Sequence, residues 1–339
     1  MRSLVLDVNL AVTGNAATVT APLADAPFNI LQQVSFTTSS GDSLLVSVDG
    51  FALAMMNKFG AFSVAPPYCD PRADQGYTPP VAGSASTSGS FNFRVRIPME
   101  IDPTQGYCSL PNMAANRTYY IQGLINPLTA LFATPPTAAT ATLTITATAE
   151  YWSVPNPSNA TGDAQQQEPV GNGSFSLWQL ETIPVNAGSG IYQLHNVGGV
   201  IRQILFIYRD NTGARTTAAN WPALAEILLN NDLLLYNRQA DYVRRVTAQT
   251  GYGAQYGAVA AAVGTPQGQE LGVWPLLDFM APGDALIDPS NPRDQYLPTL
   301  DSTLLQIRGT SWGAAGGTLQ VYTNSINSVS ADALYAPHF

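Results

Sequence analysis

Apolar and polar residues alternate with period two along much of the chain, the pattern of strands that bury one face. Near the N-terminus Leu4, Leu6, Val8, Leu10 and Val12 fall on one face, with Val5, Asp7, Asn9 and Ala11 on the other. Between residues 90 and 101, Phe91, Phe93, Val95, Ile97 and Met99 share a face opposite Asn92, Arg94, Arg96 and Glu100. From 142 to 154, Leu143, Ile145, Ala147, Ala149 and Tyr151 alternate with Thr142, Thr144, Thr146, Thr148 and Glu150. Each stretch predicts a strand with one face on a core and the other wet or at an interface. Residues 200–208 (VIRQILFIY) are apolar on both faces. They predict a strand covered on both sides, stopped by the turn Asp210-Asn211-Thr212-Gly213. Residues 303–308 and 318–323 flank a Gly-rich connection and predict a hairpin.

Helical spacing is rare. The best case is 220–229, with Asn220 placed as N-cap, Pro222 in the first turn and apolar residues recurring at three and four. A second helix is predicted over 51–59, after the Asp49-Gly50 turn, and a third over 240–247. The fold class is therefore all-β with a few short helices.

Residues 153–174 lack periodicity and are rich in Pro, Asn, Gln and Gly, the composition of a connection. This divides the chain into two predicted domains, 1–155 and 174–339, joined by a linker over 156–173. The halves share an order of events: a strand ending in a turn, a short helix, a long low-complexity loop (63–90 and 249–270), then strands again. No letter-for-letter repeat accompanies this. Two β-domains of one plan is the organisation it supports.

Composition sharpens the picture. At 45% hydrophobic residues the 339-residue chain can bury sizeable cores, yet only 11% is charged, against about 25% in an ordinary soluble domain. Disorder is excluded, since it needs the opposite balance. A coiled coil is excluded too, because Lys58 is the only lysine. Thr, Ser, Asn and Gln must supply the polar surface. Either an assembly hides much of that surface, or the genome disfavours lysine codons, as thirteen arginines to one lysine also fits. A net charge of −9 argues against a nucleic-acid binder, and Arg244 and Arg245 are the one adjacent basic pair. No secretory leader and no run of 18 apolar residues occurs. Cys69 and Cys108 allow at most one bridge, which fixes no compartment. Glycosylation triplets at Asn116, Asn159 and Asn172 are expected by chance in so Asn- and Thr-rich a chain.

Catalytic chemistry finds little to work with. Gly309-Thr310-Ser311-Trp312-Gly313 matches the G-x-S-x-G elbow, and Asp332 and His338 follow in hydrolase order. That motif needs a strand-to-helix turn, whereas here both flanks alternate like strands, so a Gly-rich turn is the plainer reading. His195 and His338 are the only histidines, and no metal-ligand spacing is present. Asp70, Asp74, Asp278, Asp284 and Asp288 are scattered through loops; a calcium ion or simple solvation would suit them. Trp152, Trp178, Trp221, Trp274 and Trp312 would serve either a sugar-binding face or the core, and the core is the commoner use. No catalytic, cofactor-binding or metal residue is assigned.

Three stretches carry a resemblance: IRQILFIYRDNTGAR, WPALAEILLNNDLLLYNRQADYVRRV, and GVWPLLDFMAPGDALIDPSNPRDQYLPTLDSTLLQIRG. Through them the second half resembles the second jelly roll of double-jelly-roll major capsid proteins, the lineage of tectiviruses, adenoviruses and large nucleocytoplasmic DNA viruses. The first half is similar in plan only. The resemblance implies a non-enzymatic virion protein: two jelly-roll β-sandwiches side by side, three chains in a pseudo-hexagonal trimer, and trimers tiling an icosahedral shell. It implies as partners further copies of the chain, minor capsid and vertex proteins, and in some relatives an internal membrane beneath the shell. The loops 63–90 and 249–270 would then be outer decorations or trimer contacts. One departure stands out: residues 4–12 read as a strand, where the tectivirus pattern has a basic amphipathic helix under the shell. A single lysine also offers little cationic attraction to anionic lipid. The alternative is a two-domain carbohydrate-binding or adhesin β-sandwich, and a hydrolase using Ser311 comes third.

Overall fold

The computed structural model describes residues 1–15, 23, 25–38, 43–60, 76–78, 87–101, 108–110, 118–132, 137–151, 174–215, 222–238, 272–276, 279, 296–300, 302, 304–313 and 316–328. In the first half these form β1 (Ser3–Asn15), β2 (Leu31–Thr38), β3 (Ser43–Val48), α1 (Gly50–Phe59), β4 (Gly76–Thr78), β5 (Thr87–Pro98), β6 (Tyr119–Ile125) and β7 (Thr137–Glu150). The second half holds β8 (Ser174–Val185), β9 (Gly188–Leu194), β10 (Val200–Asp210), β11 (Leu224–Leu229), β12 (Asp232–Arg238), β13 (Val273–Leu276), β14 (Leu297–Pro298), β15 (Leu305–Trp312) and β16 (Gly317–Ser328).

The second half is a jelly roll. Strands β13-β10-β16-β8 form one layer and β12-β11-β15-β9 the other, so the chain switches layer repeatedly along its length. Large rings fill the space between the layers. Tyr208 and Tyr192 flank Trp312 with centroids 5.7 and 5.8 Å away, and Phe206 stacks on Trp274 at 5.2 Å. In the first half β4-β5-β1-β7 form a four-stranded sheet, while β3-β2-β6 continue the second half's sheet through a parallel contact of Leu45 with Trp178. In both halves the first strand pairs antiparallel with the last, β1 with β7 and β8 with β16.

The alternating patterns land as expected in β1 and β5. Leu6, Val8, Leu10 and Val12 are buried, as are Phe91, Phe93, Val95 and Ile97, while Asn9, Asn92 and Arg94 are exposed. Strand β10 is covered on both faces, again as its composition predicts. Helix α1 packs against β5, β2 and the 3₁₀ turn Phe28–Ile30. Its first residue is Gly50, where a Cβ would lie 2.1 Å from the Phe28 carbonyl oxygen, so the helix start seats directly on the backbone of the 3₁₀ turn Phe28–Ile30. Asn57 fixes the other end. Its amide donates to the Arg96 carbonyl at 2.7 Å and accepts the Arg96 N–H at 2.6 Å. All ten helix residues are buried, Lys58 among them.

Three expectations change. Residues 224–229 form strand β11, paired with β12 and β15, and not a helix. Pairing with a strand on each side satisfies the backbone there and carries Ala225 and Ile227, two positions apart on one face, into the core. The second half thus lacks the counterpart of α1 between β10 and β13 among the described residues. Strands β15 and β16 are consecutive but not a hairpin: β15 pairs β9 and β11, whereas β16 pairs β8 and β10. The Gly-rich connection carries the chain from one layer to the other. Finally, β7 is exposed on both faces over most of its length, because it is the outermost strand of its sheet. The predicted helix at 240–247, the linker 156–173 and the loop 249–270 lie outside the described residues, while the predicted loop 63–90, where described, forms β4 and the start of β5.

Candidate assembly surface and the joint behind it

The sequence-level chemical candidates do not converge. Ser311 lies within strand β15, and among the described residues no helix follows it before β16, so the strand-to-helix elbow is not formed there. Asp332, His338, Asp70, Asp74, Asp278, Asp284, Asp288, Arg244, Arg245, Cys69, Trp152 and Trp221 lie outside the described residues, as do Asn116, Asn159 and Asn172. Trp178, Trp274 and Trp312 are core residues, each 3% exposed or less, which removes them from any sugar-binding face. His195 is exposed and its Nδ1 meets Glu181. Among the described residues no three His, Cys, Asp or Glu side chains gather as a metal site, and no helix is long and apolar enough to cross a membrane.

What the fold does bring together is an ion cluster between the two halves. Asp25 of the first half receives Arg209 Nη1 on Oδ2 at 2.8 Å and Arg215 Nε on Oδ1. Asp49 caps α1 by accepting the Ala52 N–H at 2.7 Å, and its other oxygen accepts the Tyr322 hydroxyl at 3.2 Å. The Arg215 guanidinium lies 4.0 Å above the Phe51 ring, and Arg202 Nη2 donates to the Gly60 carbonyl at 2.9 Å. Burial pushes the Asp25 carboxyl up, but Arg215 and then Arg209 outweigh it and hold Asp25 below the usual carboxylate range. Asp49 goes the other way: burial raises it, and Arg209 with the Ala52 N–H offsets only part. Burial also lifts the Tyr322 hydroxyl well above an ordinary phenol, with Asp49 adding to it. Sequence reasoning missed this cluster, since Asp25 and its two arginines are 184 and 190 positions apart.

The outside of the molecule has a different character. Tyr120, Ile121, Leu124 and Ile125 of β6 are exposed, as are Ile145 of β7, Ile191 of β9 and Leu233 of β12. The wet face of β1, β5 and β7 carries Thr144, Thr146, Asn9 and Asn92 around one exposed ion pair, Arg94 with Asp7 at 2.6 Å. Among the described residues further ion pairs lie away from the joint, Arg2 with Glu100, Arg96 with Glu150 and Arg308 with Glu226, while the joint holds the buried cluster of Asp25, Arg209 and Arg215. Exposed apolar side chains of this kind suit contact with another surface.

No protein-family model matches the chain, and no curated protein matches it either. Solved structures do. The STIV MCP superposes with a TM-score of 0.58 at 15% identity, covering 99% of this chain and 91% of its own. Its fold is this fold. The PBCV-1 virus capsid gives a TM-score of 0.56 at 10% identity, over 96% of this chain and 87% of the other. The Faustovirus major capsid protein gives 0.54 at 10% identity, over 97% and 85%. The likeness therefore spans both halves, and the all-β architecture of two jelly-roll sandwiches is shared with these proteins.

Proposed function

We propose that the chain is a viral major capsid protein, non-enzymatic, whose copies form trimers of pseudo-hexagonal outline that tile an icosahedral shell. The observation that carries this is the end-to-end likeness to viral capsid proteins, which takes in both sandwiches at once. The joint supports it physically. A shell tile must transmit load between its two sandwiches, and paired buried charges with a fully buried helix make them one block. The low charged fraction of the sequence, 11%, supports it as well, because buried faces between subunits favour Thr, Asn, Gln and Arg over freely hydrated Lys and Glu.

In this reading residues 1–155 and 174–339 are the two jelly rolls and 156–173 their linker. The partners are further copies of the chain, with minor capsid and vertex proteins at special positions of the shell. A membrane beneath the shell gains no support from β1, which is a strand where a basic helix would serve that contact. The test is the mass of the purified protein by light scattering, with electron micrographs of the same sample. A trimer of about three times the 36.0 kDa chain and six-sided particles are expected. A stable monomer at micromolar concentration overturns the proposal.

A further inference from the structure

Strand β7 differs from every other sheet edge among the described residues. The other edge strands, β4, β6, β9, β12 and β13, run for 3, 7, 7, 7 and 4 residues. β7 runs for 14, pairs only with β1, and contains no Pro, Gly, Lys or Arg; its one charge is Glu150, the last residue. Its only register irregularity falls before Thr140. Edges of monomeric proteins are normally blunted by brevity, charge, proline or bulges. This one has none of these over residues 140–148, and Ile145 on its core-side face is 41% exposed.

The sequence of that stretch indicates what covers it. Residues 140–148 read Thr-Ala-Thr-Leu-Thr-Ile-Thr-Ala-Thr, the same in both directions except that Leu143 and Ile145 trade places. We infer that β7 pairs antiparallel with β7 of a second copy, about a two-fold axis through Thr144, fusing two four-stranded sheets into one. In that register Thr144 faces Thr144, Leu143 faces Ile145, Thr142 faces Thr146 and Ala141 faces Ala147. A two-fold normal to the sheet keeps the apolar row on one face and the threonine row on the other. The exposed Ile145 then meets Leu143 of its neighbour, no charges are opposed, and threonines facing threonines suit a cross-strand pair. The contact does not depend on the capsomer proposal. A two-fold axis is no symmetry element of a trimer, so the pairing would join one trimer to the next.

Cysteine cross-linking of the full chain tests it. Opposed residues place their Cα atoms about 4.5–5.5 Å apart, within the roughly 4.4–6.8 Å that a disulfide spans. Thr144→Cys, oxidised with diamide at micromolar concentration, is expected to give a reducible dimer band that wild type, with Cys69 and Cys108 only, does not. Ala141→Cys and Ala147→Cys are expected to cross-link when mixed and not when alone. Thr144→Arg opposes two like charges and is expected to weaken the dimer at least tenfold in sedimentation, with an unchanged thermal midpoint. The inference is overturned if Thr144→Cys behaves as wild type. It is equally overturned if Ala141→Cys alone cross-links as well as the mixture, or if Thr144→Arg leaves association intact.

Discussion

Arg209 Nη1 donates to Asp25 Oδ2 at 2.8 Å, linking the end of a central strand in one sandwich to a loop of the other. Both side chains are mostly buried, at 17% and 16% exposure, and Arg215 on the same carboxylate is 1% exposed. Removing Asp25 leaves two buried guanidinium groups without their shared counter-charge, the costly way to break a buried pair. Asp25→Ala is expected to lower stability by about 3 kcal/mol, read as a shift in the denaturation midpoint. An unchanged midpoint would show that the joint is not held by charge.

The acid limb of stability should have two parts of opposite sign. Asp25 is held below its unfolded value of 3.8, so its pairing stabilises the fold above that pH and is lost as pH falls through the lower folded value. Asp49 is raised above 3.8, so its cost is present at neutral pH and relieved as pH falls through its folded value. The thermal midpoint, followed downward from pH 7, is expected to hold or rise until about pH 4 and to drop below it. Asp49→Asn should remove the rise alone.

Asp49 also separates capping from charge. Its Oδ1 accepts the Ala52 N–H at 2.7 Å, and an Asn at that position keeps this acceptor. Asp49→Ala is expected to cost about 1 kcal/mol through the lost cap, while Asp49→Asn at pH 7 costs less or stabilises. Equal losses in the two variants, measured by urea denaturation, would assign the whole effect to the ion cluster.

Gly309 touches the ring of Trp312 so closely that a Cβ would lie 2.5 Å from the indole Nε1 and Cε2. Tyr192 and Tyr208 hold that indole on its other sides, so it has little room to yield. Gly309→Ala is expected to destabilise by about 1–3 kcal/mol through overpacking. The glycine of the apparent nucleophile elbow therefore serves packing, and a thermal melt distinguishes this from a variant with no effect.

These contacts also show where the sequence could be read and where it could not. Strands β1, β5 and β10 were legible because side-chain burial follows local periodicity, and α1 because Asp49 precedes an unbroken apolar run. Residues 224–229 misled because Leu, Ala and Glu are strong helix formers, and pairing with β12 and β15 overrode them. A signal did exist. Asn230 and Asn231 both take positive φ, 52° and 71°, in the two-residue turn that connects β11 to β12, and Asn-Asn favours that geometry. The layer switch between β15 and β16 had no such marker, since Gly-rich connections serve hairpins and crossings alike. The Asp25 cluster was beyond reach because nothing local in a loop aspartate reports arginines so distant in the chain. The role of β7 was half visible: its alternation predicted a strand, but only the sheet order showed that strand to be an edge.

Lys58 carries the chain's only side-chain amine, and at 1% exposure it sits within the fully buried helix α1. The native exterior therefore offers amine-directed reagents no lysine at all. Acylation of Lys58 becomes an internal clock, advancing only in the moments when the fold opens around α1.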